Sequence, residues 1–245
     1  MSFTEDRSVL TRQAPPPDAV VLYGELPEQI ADVRFGKNSA ARKPLIIIIH
    51  GGFWRSTIDR MHTGPMSTAI ANAGWTNASI EYRRIPGDPQ STVRDVRDAI
   101  AKLPALVGNH NGKVIVTGHS AGGHLCLYVA SVSANVAGAL ALAAAADLQM
   151  AEQLNLGDGA AKAFLGTAAA QHQDIDPVRL PSPRCATTII HGMQDAIVPI
   201  ALADSYAAKH SATRVVRIEN CGHFAVIDPL SATWPAVIDA LSHLS

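Results

Sequence analysis

Charge is scarce in this chain: Asp, Glu, Lys and Arg make up 17% of 245 residues and leave a net charge of -1. Globular domains average about 25% charged residues, and chains that stay disordered exceed that. With 47% hydrophobic residues, the composition specifies a packed core. The absence of a basic surplus removes the electrostatic footprint expected for nucleic acid or an anionic membrane surface. Cysteine is equally sparse. Cys126, Cys185 and Cys221 are too few and too scattered for a disulfide framework, so a reduced, cytoplasmic protein is expected. No apolar region follows Met1, so no secretory signal is expected. No apolar run is both long enough and free enough of turns to span a bilayer; the alanine-rich stretch 136–146 reads as a buried strand with its flanks. What is plentiful is histidine, with ten copies that raise the charge at mildly acidic pH.

The length fits one large domain. Residues 1–18, polar and carrying Pro15, Pro16 and Pro17, read as an N-terminal arm, and 19–245 as a single folded unit. Strands are expected at 19–23, 30–35, 44–50, 75–82, 113–117, 136–146, 186–190 and 213–218. Helices are expected at 63–73, with Gly74 ending it, at 123–133, over a stretch capped by Ser91, and near the end of the chain. Val93, Val96, Ile100 and Leu103 give the Ser91 helix one apolar face, as Trp234, Val237, Ile238 and Leu241 do for the last. Asp95 and Asp98 lie off the stripe and read as solvated. Strands alternating with helices predict an α/β fold, a mostly parallel central sheet with helices on both faces. Residues 149–183 break the alternation and read as a small helical cover over the strand ends, where ligands bind in such sheets.

The chemistry concentrates at those strand ends. Gly118-His119-Ser120-Ala121-Gly122 follows an apolar strand and precedes a helix, the strand–turn–helix context of a nucleophile elbow. His50-Gly51-Gly52-Phe53-Trp54 follows another apolar run. Glycines there let backbone N–H groups face a developing oxyanion, with Gly52, Phe53 and Ala121 as candidate donors. Asp195 and His223 each follow a later strand. Serine, acid, histidine is the chain order in which a hydroxyl, an orienting carboxylate and a general base assemble on such a sheet. Asp147 and Asp228 compete for the acid role and Cys221 for the nucleophile; the chain order and the elbow favour Asp195 and Ser120. His50, His119, His124 and His191 sit inside strand-end or elbow motifs and have packing roles.

These motifs make the chain resemble an α/β-hydrolase. His50 to Trp54 is similar to the H-G-G-x-W signature of kynurenine formamidases (arylformamidases) and related small carboxylesterases, as are Tyr23-Gly24 and Tyr82-Arg83. The resemblance implies Ser120, Asp195 and His223 as catalytic residues and extends the oxyanion loop to Gly51, Gly52 and Phe53. Trp54, Tyr82 and His119 are candidate substrate-binding residues, and a small ester or aryl-formamide is the expected substrate. The resemblance implies no metal and no organic cofactor. Arg55, Arg83 and Arg84 read as solvated rather than as substrate anchors. The alternative functions are a general short-chain carboxylesterase and a non-catalytic binding protein of the same fold. Besides a small-molecule substrate, the partner expectations are no nucleic acid and no membrane, with a homo-oligomer left open.

Overall fold

The apolar runs form the middle of one eight-stranded sheet. The computed structural model describes residues 4–38 and 40–245; residues 1–3 of the expected arm and Ser39 lie outside the described residues. In chain order the elements are β1 (Ala19–Leu22), β2 (Ile30–Arg34), β3 (Leu45–Ile49), α1 (Gly64–Asn72), β4 (Asn77–Ile80), α2 (Pro89–Leu106), β5 (Val114–His119), α3 (Ala121–Val132), β6 (Val136–Leu142), α4 (Leu148–Gln153), α5 (Leu156–Leu165), β7 (Ala186–Gly192), α6 (Ala201–Lys209), β8 (Arg214–Ile218) and α7 (Trp234–Leu244). The spatial order is β1-β2-β4-β3-β5-β6-β7-β8. β2 runs antiparallel to both neighbours, and from β4 to β8 every pairing is parallel.

A parallel strand covered on both faces has no polar side, which is why β3 reads Leu-Ile-Ile-Ile-Ile and is buried at all five positions. Alternate residues enter opposite layers. Leu45, Ile47 and Ile49 join the core that contains Val96 and Ile100 of α2 and Leu125 of α3; Ile46 and Ile48 join the one with Ile70 of α1 and Val237 of α7. Each of these isoleucines contributes about 1.5–3 kcal/mol by leaving water. β8, at the sheet edge, instead exposes Arg214 and Arg217, which blunts that edge against pairing with other chains. No helix of the described residues is long and apolar enough to cross a membrane.

Three local expectations are corrected. α2 is capped by Asp88, not Ser91: the Asp88 carboxylate accepts the Ser91 N–H at 3.2 Å, and Pro89 supplies a preset φ at the first position. Asp98 is exposed beside Lys102, but Asp95 is fully buried and bound by Arg83 at 2.6 and 2.8 Å and by Gln29 at 2.8 Å. Its partners lie outside the helix, beyond the reach of a periodicity argument. The strand expected over 136–146 stops at Leu142. Ala143 turns with φ 45°, and the Ala145 N–H donates to the Ser120 carbonyl at 3.1 Å.

Candidate active site

Ser120 stands between β5 and α3 with φ 56° and ψ -117°, a conformation that costs an L-residue of order 1–3 kcal/mol. The neighbouring glycines make the turn feasible. A Cβ on Gly118 would lie 2.1 Å from the Gly122 carbonyl oxygen, and one on Gly122 would lie 2.1 Å from the Ile49 carbonyl oxygen. The elbow therefore packs backbone to backbone against the end of β3. The Ser120 N–H donates to the Leu142 carbonyl at 2.9 Å, and its own carbonyl accepts from His124 and Ala145, so the strained turn is held from three sides.

His223 lies in the loop after β8. Its Nδ1–H donates to Asp195 Oδ2 at 2.6 Å. Asp195 follows β7; its other oxygen accepts the Ile197 and Val198 amides at 2.9 and 2.8 Å, and His191 lies 3.4 Å from Oδ2. Burial pushes the Asp195 pKa up, but hydrogen bonds from His191 and His223, the His223 charge and the Val198 amide outweigh it and hold the carboxyl well below the usual range. Asp195 is thus an anion facing the ring. The His223 carbonyl accepts from His119 Nε2 at 2.9 Å, and the two rings sit 4.5 Å apart. Burial, then the nearby His223 charge, lowers the His119 pKa well below its ordinary value, so a neutral imidazole makes that contact. Among the described residues the His223 ring hydrogen-bonds only to Asp195. Ser120 lines the same cavity wall without a direct hydrogen bond to it.

The competing residues are engaged elsewhere. Asp147 caps α4 through the Met150 amide at 2.9 Å and accepts from Ser205 at 2.6 Å. Asp228 pairs with Arg12 at 3.0 Å. The Cys221 thiol is buried and pushed up to about 11, chiefly by desolvation, which leaves it protonated.

Opposite Ser120 runs the His50–Trp54 loop, with φ 53° at Phe53 and φ 55° at Trp54. The amides of Gly52, Phe53 and Ala121 have no hydrogen-bond partner among the described residues. The Gly51 carbonyl accepts from His50 Nδ1 at 2.7 Å. His50 is fully buried and holds Glu81 through Nε2 at 3.0 Å. Glu81 also pairs with Arg84 and accepts the Arg60 and Tyr82 amides. Burial alone would raise the Glu81 pKa, but the hydrogen bond and charge of His50 and the Arg84 guanidinium bring it to about 2. Arg83 and Arg84, expected in solvent, are thus structural ion-pair partners of Asp95 and Glu81. Tyr82 is not a substrate contact either: it is wholly buried, with its hydroxyl donating to the His50 carbonyl at 2.7 Å.

Two spaces meet at Ser120. A cavity of about 750 Å³ is lined by Ser120, His223, His119, Gly52 and Phe53 together with Leu154 to Asp158 of the 149–183 segment. That segment supplies α4 and α5 and a break of left-handed residues at Asn155 and Gly157 to Gly159. Arg55, which donates to the Gly157 carbonyl at 2.5 Å, lies on the cavity wall. The second space is an apolar recess of about 10 Å³ among Phe53, Trp54, Ala121, Ala145, Leu156 and Val198. Trp54 faces this recess rather than the large cavity. It stacks on Phe164 at 5.0 Å and donates to His124 at 3.2 Å. Burial lowers the His124 pKa to about 4, so that ring is a neutral packing element, as expected. Motif reading missed His62, Arg7 and Leu10 on the cavity wall and Glu5 behind it. The latter three belong to the arm, whose proline-rich sequence gave no sign of a site.

The family described as BD-FAE matches residues 31–209. Esterase LipC of Mycobacterium tuberculosis (strain ATCC 25618 / H37Rv) is 26% identical, over 85% of this chain and 60% of its own length. Kynurenine formamidase of Danio rerio is 29% identical, over 53% of this chain and 46% of its own. The chain thus spans no more than 60% of the length of these two curated relatives. Among solved structures, a truncated carbohydrate esterase from gut microbiota superposes with a TM-score of 0.78 at 17% identity, covering 94% of this chain and 99% of that one. Thermogutta terrifontis esterase 2 gives 0.72 at 17% identity, covering 95% and 94%. At such identities these structures speak for the fold, which is that of an α/β-hydrolase. With nearly three-quarters of its length inside the matched region, the chain belongs to the BD-FAE family of that superfamily.

Proposed function

We propose that this protein is a serine hydrolase that cleaves small esters or aryl-formamides through an acyl-enzyme on Ser120. The observation that carries the reading is the Asp195–His223 pair at 2.6 Å, on the cavity wall that also bears the strained Ser120. His223 Nε2 takes the Ser120 proton as Oγ bonds to the acyl carbon. Asp195 keeps Nδ1 protonated and stabilises the imidazolium. The free amides of Gly52, Phe53 and Ala121 receive the oxyanion. Collapse breaks the ester or amide bond, and His223 returns the proton to the departing oxygen or nitrogen. Water, deprotonated by the same ring, then releases the acid and regenerates the hydroxyl. Serine–base contacts of this kind tighten when substrate binds, which fits the absence of a direct Ser120–His223 hydrogen bond.

The sizes of the two spaces support a small acyl group. A volume of about 10 Å³ is roughly that needed for one water-sized group, enough for a formyl or acetyl but not a longer chain. The leaving group then faces the large cavity, where Phe53 and Phe224 offer aromatic surface. Esterases and a kynurenine formamidase among the relatives fit the same class. A fluorophosphonate probe is expected to label Ser120, as located by peptide mapping, and Ser120→Ala to lose both labelling and hydrolysis of p-nitrophenyl acetate. Retained turnover in Ser120→Ala, with the same circular dichroism as wild type, rejects the proposal. Comparing kcat/KM for p-nitrophenyl acetate and N-formylkynurenine then separates ester from formamide preference.

A further inference from the structure

On the basis of this hydrolase reading, we infer that Glu5 is a positioning residue for His223, through which the N-terminal arm becomes part of the site. The Glu5 carboxylate accepts two consecutive amides of the base-bearing loop: His223 N–H at 2.8 Å on Oε2 and Phe224 N–H at 3.0 Å on Oε1. A carboxylate suits this task because it is acceptor-only and has two oxygens, so it closes a fork on two donors with no proton of its own in the way.

The backbone of His223 has few other restraints. Asp195 holds its ring and His119 its carbonyl, while among the described residues Glu5 alone holds its N–H. The flanking chain is irregular, with one short turn at Ala225–Ile227. The arm is anchored independently of Glu5. Asp6 accepts the Ser8 N–H at 2.8 Å, Val9 is buried in the α1–α7 core, and Arg12 pairs with Asp228 at the far end of the same loop. The loop is therefore gripped at residues 223–224 and again at 228 by one segment. Arg7, 5.7 Å above the Phe224 ring, and Leu10 extend that segment along the cavity wall. Proton transfer from Ser120 depends on sub-ångström placement of the ring, and displacement by about 1 Å can cost up to 100-fold in rate. Freeing the His223 N–H loosens that placement without touching substrate.

The test compares wild type, Glu5→Gln and Glu5→Asp in fluorophosphonate labelling and in p-nitrophenyl acetate turnover. A glutamine points an NH2 at one of the two amides and breaks the fork; an aspartate keeps both acceptors on a shorter stem. The expected result for Glu5→Gln is an about tenfold fall in both kcat and labelling rate with KM within about twofold, and partial recovery in Glu5→Asp. A merely structural residue would lower the melting temperature and leave the rates of the folded protein intact. Glu5→Gln rates within twofold of wild type, or a loss that tracks the unfolded fraction, overturn the inference. Should Glu5→Gln fail to fold, Arg12→Gln, which releases the loop's other end, is expected to slow labelling in the same direction; an unchanged rate overturns the inference equally. Failure of wild type to be labelled instead removes the hydrolase reading, and this inference with it.

Discussion

On the wall formed by the His50–Trp54 loop, the side-chain partners of His50 all lie within 34 residues of it. His50 meets the carbonyl of its neighbour Gly51, Glu81 31 residues on and Arg84 34 residues on. On the facing wall, His223 is held by partners 28, 104 and as many as 218 residues away, namely Asp195, His119 and Glu5. One wall is a buried charge cluster on adjacent strand ends. The other is a loop drawn in by three separate parts of the chain. Buried charge is costly to disturb because each member left alone keeps its desolvation penalty. A loop held by hydrogen bonds yields locally and loses alignment before it loses the fold. Damage to the first wall should therefore appear as stability, and damage to the second as rate.

The largest effect should come from the His223 wall. Asp195→Asn is expected to lower kcat by about 10³–10⁴-fold, because a neutral amide no longer selects the ring tautomer. Asp147→Asn, measured beside it, should leave kcat near wild type. A reversal of that order would reassign the acid. Glu81→Gln probes the other wall and should reverse the pattern. Stripping the carboxylate from between His50 and Arg84 is expected to cost about 3–5 kcal/mol in denaturant-unfolding experiments. If kcat falls steeply while stability holds, the contrast between the walls breaks down. A smaller change is expected where Phe53 and Leu156 separate the recess from the cavity. Leu156→Ala should move the acetate-to-butyrate ratio of kcat/KM about tenfold toward butyrate.

The smallest effect is in pH. Burial, with the nearby His50 charge, lowers the His62 pKa from 6.5 to about 4, and burial brings His124 to a similar value. Between these limits the unfolded chain binds more protons than the folded one, so their stabilisation is present above pH 6.5 and is lost as pH falls toward 4. Glu81 adds loss of the same sign between 4.5 and about 2. Melting temperature should decline from pH 7 to 4, and His62→Gln should flatten that slope. A slope unchanged in His62→Gln would show that His62 titrates normally.

The same contrast decides what the sequence made legible. The elbow, the His-Gly-Gly loop and the central strands could be read because each is a local pattern: a glycine spacing, an apolar run, a strand–turn–helix order. Asp195 and His223 followed from chain order, and the geometry pairs them. Tyr82 was assigned to substrate because it stands in a motif; nothing local says that its ring packs inward under His50. Asp95, Arg83 and Arg84 were read as solvated because charge favours water unless a partner is present, and their partners come from other elements. Glu5 was wholly illegible. Its hydrogen bonds to the His223 and Phe224 amides form only once the chain beyond β8 returns beside it, and no short-range signal encodes that meeting.

The bare hydrogen at position 122 has a consequence for anyone who would re-engineer this pocket. With the Ile49 and His50 carbonyl oxygens 2.1 and 2.5 Å from where a methyl would sit, the separation of the Ser120 turn and the end of β3 is a contact between two main chains. No choice of side chain can tune it. What substitution can move is the opposite flank, where the ring of His223 hangs from replaceable tethers.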